Sequence, residues 1–311
     1  MAPLLMRAHR LVSLLVFFAI VHTRDATAQG GAATPGAAAA PSGVTGPMRD
    51  AARLDLEGKT GDARAIIQRV IDTSTVPAAK AAAQRAMAMS FAFDGDCAST
   101  LKYEQLVIDY WRTRESAEPQ NAFFQQGEMA NEGARVCIDA ATGAPDLDLA
   151  EKWYREGYAL GSREPAPRTH AASLWDFRLA HALARLAARR GNVAEAQQQI
   201  TAARRALDSD SAMAAQQERF FPYLVGYVAL YSNDLPVAAR ELERALAMRG
   251  NERDPFVTAL LAMTREKQGR GDEATALYRK AYELATGHNP PSAYVRRVVR
   301  AKLGPTREAS R

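Results

Sequence analysis

The residues best suited to hold a charged ligand form one stripe. Arg178, His181, Arg185 and Arg189 are spaced i, i+3, i+7 and i+11. On a helix turning about 100° per residue they share one face, with Leu183, Ala184 and Ala187 opposite. A row of guanidinium donors suits carboxylates, either a chain end or acidic side chains. The same spacing also describes a charged face in water. Further on, Phe220, Tyr223, Tyr227 and Tyr231 repeat this spacing, with Phe256 and Met263 beyond them. Aromatic rings there would grip the apolar side chains of a ligand. Yet Phe220 to Tyr231 is apolar all round, the pattern of a helix buried on every side. Groove and core both remain open for this stripe. Pro222 fits only a first turn, so this helix starts near Phe220.

Other reactive residue types are scattered. Past the leader described below, the histidines are His170, His181 and His288. The chain has no H-E-x-x-H, C-x-x-C, G-x-S-x-G or Walker phosphate loop. Gly269-Arg270-Gly271 sits between two helical stretches, whereas a phosphate-binding loop follows a strand. Carboxylates spread over helical faces, and no pair stands out as acid and base. No catalysis, no metal site and no cofactor are expected.

The stripes must be positioned by helices, and the helices recur. Gly191 to Ala196 is followed by Ile200 and Ala203. Asn233 to Ala238 is followed by Leu242 and Ala245. Gly269 to Ala274 is followed by Leu277, Tyr278 and Ala281. Each unit has a small residue, an apolar one four later and Ala three after that, which is one stripe of a helix. The preceding helix carries a matching stripe, so small side chains let the two helices of a pair approach closely.

These units resemble the tetratricopeptide repeat (TPR) family. Three small-residue positions match in each unit: Ala184, Ala196 and Ala203; Gly226, Ala238 and Ala245; Ala262, Ala274 and Ala281. An early aromatic residue is missing from the first helices, and the closing Pro is mostly missing. The spacing from Ala196 to Ala238 and on to Ala274 exceeds the family's period of about 34 residues. The resemblance implies an all-α solenoid of about five or six helical hairpins with a C-terminal capping helix. It also implies that the stripe of Arg178, His181, Arg185 and Arg189, flanked by Tyr223, Tyr227 and Phe256, lines a concave peptide-binding groove.

In chain order, Met1 to Ala28 has the pattern of a secretory signal peptide. Arg7 and Arg10 precede an apolar run from Leu11 to Val21, and Ala26-Thr27-Ala28 is a cleavage pattern. An uncleaved membrane anchor is the alternative. Residues 29–47 form a Gly/Ala/Pro linker unable to bury a core. Divergent helical repeats are expected over 48–164, with hairpins at Arg49–Thr73, Ala78–Trp111 and Phe123–Gly161. The TPR-like repeats and cap follow over 165–303, and a disordered tail over 304–311.

The whole chain carries 40 Lys and Arg against 35 Asp and Glu. Removing the leader leaves 37 against 34, a net +3 too mild to attract nucleic acid. Cys97 and Cys137 lie about one repeat apart, near the turns of their units. In an oxidising compartment they suit a disulfide; two separately buried thiols are the alternative. Arg296, Arg297, Arg300, Lys302, Arg307 and Arg311 could touch an acidic lipid surface or partner, or form a solvated face.

The expectation is an exported scaffold, periplasmic or secreted, that binds a protein or peptide partner in the cell envelope. An acidic partner or a free C-terminal carboxylate suits its basic stripe. The alternatives are an all-α envelope enzyme acting on cell-wall glycan, and a purely structural subunit of an envelope complex. The first would show itself as an ionisable cluster inside a closed pocket. Replacing Arg178, Arg185 and Arg189 with Glu is expected to abolish binding and leave helicity unchanged.

Overall fold

The computed structural model describes residues 46–140 and 143–303. The signal peptide, nearly all of the linker and the tail expected from the sequence lie outside these residues. Gly46 and Pro47, assigned to the linker, already belong to the first helix. The described residues are all-α, with no strand among them.

Consecutive helices pack as antiparallel neighbours. α1 (Gly46–Glu57) pairs with α2 (Thr60–Thr73), and α3 (Pro77–Asp94) with α4 (Cys97–Arg112). α5 (Pro119–Arg135) pairs with α6 (Leu147–Gly161), and α7 (Ala172–Arg189) with α8 (Val193–Asp208). α9 (Ser211–Gln217) follows, then α10 (Phe221–Tyr231) with α11 (Leu235–Ala247) and α12 (Pro255–Lys267) with α13 (Gly271–Leu284). α14 (Pro290–Tyr294), a π-helical turn at Val295–Val299 and α15 (Arg300–Leu303) end the described chain. No helix among the described residues is long and apolar enough to cross a membrane.

The small residues do the work their spacing suggests. All nine of the small-residue positions named above are buried. At Gly226 an added Cβ would come within 2.7 Å of Leu242 Cγ, so α10 and α11 touch there. The turns also repeat. The first helix of three successive pairs ends at Gly191, Asn233 and Gly269, all with positive φ. Gly adopts this conformation freely, and Asn is the residue that next best tolerates it. Asn192 and Asp234 then cap the second helices by accepting from the Glu195 and Val237 amides.

The first half is less regular. α5 runs into a π-helical turn at Val136–Ala140, and α6 begins at Leu147. Cys97 at the start of α4 is bonded to Cys137 in that turn. The stretch from Ser209 to Glu218 is largely helix α9, with Met213 buried.

The C-terminal segment does more than cover the last hairpin. α14 packs against α3, joining the C-terminal end of the described chain to its first half. His288 Nε2 lies 2.7 Å from the buried Asp55 carboxylate, and its ring stacks on Phe93. Arg296 donates to the Ala285 carbonyl, Arg300 reaches the Glu57 carbonyl, and Lys302 pairs with Glu266. These members of the C-terminal basic run thus hold internal contacts; Arg307 and Arg311 lie outside the described residues. This junction has an apolar cause. Met89, Ala92 and Phe93 of α3, Phe256 and Leu260 of α12, and Tyr294 and Val299 at the C-terminal end form one continuous core. Left open, that surface would face water.

Candidate functional site

A cavity of about 180 Å³ lies between α5, α7 and α10. α7 supplies Phe177, Arg178, His181 and Arg185, one helical stripe, which explains why they face the same space. α10 adds Tyr223, preceded by Phe220. α5 adds Glu128, Asn131, Glu132 and Arg135, while Arg85 and Tyr154 complete the wall. The Arg85 side chain is 50% exposed and stands where the cavity meets solvent.

Charges in the wall are partly neutralised. Arg178 pairs with Glu128, and Arg85 Nη2 lies 2.7 Å from Glu132. Behind the wall, Asp139 from the π-helical turn is an ion-pair hub. It accepts from Arg185 and, at 2.9 Å, from the Tyr227 hydroxyl. Arg135 and Arg189 each stand 3.9 Å from it. The Arg185 guanidinium also lies over the Tyr227 ring, 4.9 Å from its centroid.

Five polar atoms on residues lining this cavity have no protein partner: Tyr154 Oη, Arg178 Nη2, His181 Nε2, Arg185 Nε and Tyr223 Oη. Buried polar atoms are nearly always paired, so five orphans in one wall are unusual. Burial, aided by Arg185 and Arg135, holds the His181 pKa well below the usual histidine range, so the ring is neutral. Burial raises the Tyr223 pKa, keeping its proton on the oxygen. Burial also raises the Glu128 carboxyl, with Arg178 opposing it. Deeper still, Glu104 is fully buried with both oxygens unpartnered; burial and then Glu132 push its pKa well up.

No protein-family model and no curated protein matches this chain.

The structure brings Arg178, His181, Arg185 and Tyr223 of the predicted groove to one cavity. It removes three others from contact with a ligand. Arg189 is bound to the Ile138 carbonyl and to the Tyr227 and Tyr231 hydroxyls. Tyr227 is fully buried around Asp139, and Phe256 is 1% exposed against Tyr223 and Tyr294. Tyr227 lies on α10, which is apolar on every side and so takes neighbours on every side, Phe256 packs into the same core, and Arg189 is taken up by polar partners within the chain. Glu at position 185 would set a second buried carboxylate beside Asp139. The triple charge reversal would therefore unfold the core rather than test binding. Sequence reasoning missed Glu128, Glu132, Arg135 and Asp139. The first three, at i, i+4 and i+7 on α5, carried a visible helical signal. Asp139 carried none, because a π-helical turn shifts its direction off the α-helical period.

Proposed function

We propose that the protein is an exported, TPR-like scaffold of six helical hairpins. It binds a protein or peptide partner in the cell envelope and catalyses nothing itself. The partner presents an acidic side chain or a free C-terminal carboxylate at the cavity mouth near Arg85. The observation carrying this reading is that Arg178, Arg185, His181 and Tyr223, each with an unpartnered polar atom, line one basic cavity. Satisfied only from outside the chain, such atoms lower the free energy of the bound state relative to the empty one. The repeated small-residue register supports the TPR-like description. The Cys97–Cys137 bond supports an oxidising compartment.

The ionisable cluster within a cavity is also what the glycan-hydrolase alternative called for. Against it, the two carboxylates in the wall, Glu128 and Glu132, are each clamped by an arginine. Burial raises Glu128 toward the range of a general acid, but Arg178 holds the carboxylate that would have to deliver the proton, and a base needs room for a water. A cavity of this size also leaves no cleft for a polymer chain. A part in a larger complex requires only the outer surfaces and uses none of these atoms.

The test is capture from the native envelope, with wild type and the Tyr223→Phe and Arg178→Gln variants compared by mass spectrometry. Partners retained by wild type and lost by both variants support the proposal. Equal capture by all three refutes a role for the cavity.

A further inference from the structure

The orphan atoms around the cavity have a definite polarity. Arg178 Nη2 and Arg185 Nε can only donate, and the Tyr223 hydroxyl retains a proton to donate. His181 is the exception. A neutral imidazole with its proton on Nδ1 presents a lone pair at the unpartnered Nε2. With the Tyr154 hydroxyl, which also keeps its proton, the wall offers four donors and one acceptor. A carboxylate satisfies the donors, and an N–H beside it satisfies His181.

Charge and shape narrow the ligand further. Four arginines and two glutamates line the cavity, and Asp139 stands behind Arg185. With Arg189 beside Asp139 also counted, five arginines face three carboxylates, an excess of positive charge that suits an anion. Phe177, Phe220 and the Tyr223 ring give the wall an apolar part. At about 180 Å³ the space holds one ring-sized group with its head group; a cavity of about 150 Å³ accepts benzene. Beyond Tyr223 the space is filled, where Phe256 packs between that ring and Tyr294.

We propose that the cavity is a receptor for one N-acylated amino acid with an apolar, preferably aromatic, side chain and a free carboxylate. The carboxylate takes the Arg178, Arg185 and Tyr223 donors, the acylated N–H donates to His181, and the side chain lies on Phe177 and Phe220. The acyl group leaves through the mouth at Arg85. This chemistry exists as a free N-acyl amino acid and as the last residue of a protein chain. The inference rests on the binding function proposed above and specifies its ligand.

The experiment is isothermal titration of the mature chain with N-acetyl-phenylalanine, its carboxamide, and 3-phenylpropanoate, which lacks the amide. The acid should bind at least about tenfold more tightly than the carboxamide, the loss expected when charge-assisted hydrogen bonds go. 3-Phenylpropanoate should fall between them. Tyr223→Phe removes a hydroxyl with no protein partner, so its melting midpoint should stay at the wild-type value. Its affinity for the acid should drop about three- to tenfold, the range for one neutral hydrogen bond. A pentapeptide ending in Phe distinguishes the sources: tighter binding than N-acetyl-phenylalanine assigns a chain end, weaker binding a free acid. Equal affinity for acid and carboxamide, no binding at millimolar concentration, or an unaltered affinity in Tyr223→Phe overturns the inference. Failure here with retained partner capture leaves the scaffold function standing. Tight acid binding with no captured partner removes the scaffold function and keeps the ligand.

Discussion

Asp139 offers the sharpest test of how the interior is held together. Its side chain is 4% exposed, as is that of Arg185, its nearest partner. Replacing Asp139 with Ala leaves the Arg185 guanidinium buried without its counter-charge and removes the acceptor for Tyr227. Breaking a buried pair in this way costs about 3–5 kcal/mol. Set against a total stability of roughly 5–15 kcal/mol, that is a large fraction. The assay is urea unfolding followed by far-ultraviolet circular dichroism. With a slope of about 1–3 kcal/mol/M, the midpoint should fall by at least about 1 M. The control is Asp148→Ala, since Asp148 pairs with Arg190 while 95% exposed; such surface pairs contribute about 0–1 kcal/mol. Combining Asp139→Ala with Arg185→Met should cost less than the two single changes added together, because removing both charges leaves neither stranded. A loss under about 1 kcal/mol for Asp139→Ala, or simple additivity in the double variant, would refute the buried hub.

Three further outcomes are expected. Gly161→Ala would drive its methyl group into the Trp175 indole, which is fully buried. It should destabilise by about 1–3 kcal/mol and shift the tryptophan fluorescence; no shift would show that α6 and α7 can part freely. Replacing both Cys97 and Cys137 with Ser opens a loop of 40 residues. The loss should be about 3–4 kcal/mol by thermal or urea unfolding under non-reducing conditions, and reductant should leave the variant unaffected. Glu104→Met should stabilise the protein in a pH-dependent way. Burial, and then Glu132, hold the folded-state pKa of Glu104 well above the ordinary carboxylate range, so through that window the unfolded chain releases a proton that the folded chain keeps. Stability attributable to Glu104 therefore falls as pH rises through this window, and the variant's advantage should grow from the ordinary carboxylate range upward. A constant advantage across that window would contradict the raised carboxyl.

The chain's periodic parts could be read in one dimension. Ala196, Ala203, Ala238, Ala245, Ala274 and Ala281 announced close helix pairs, because a stripe at period 3.6 must face a partner wherever it occurs. The residues at Gly191, Asn233 and Gly269 likewise announced turns, since few residues tolerate positive φ. Arg178, His181, Arg185 and Arg189 were correctly placed on one helical face, which local geometry alone dictates.

What lay beyond that face was decided by long-range packing. Sequence patterning could say that Tyr227 and Phe256 were apolar, but not that α14 would return to α3 and seal them inside. It could say that Arg185 wanted an acid, but Asp139 became that acid only through a π-helical turn fastened to Cys97. Periodicity records how each helix divides its own surface. Which surfaces meet, and therefore which charges are buried, is a property of the whole chain. It is set by the free energy of covering apolar faces far apart in sequence, from Asp55 to His288 and from Met89 to Val299.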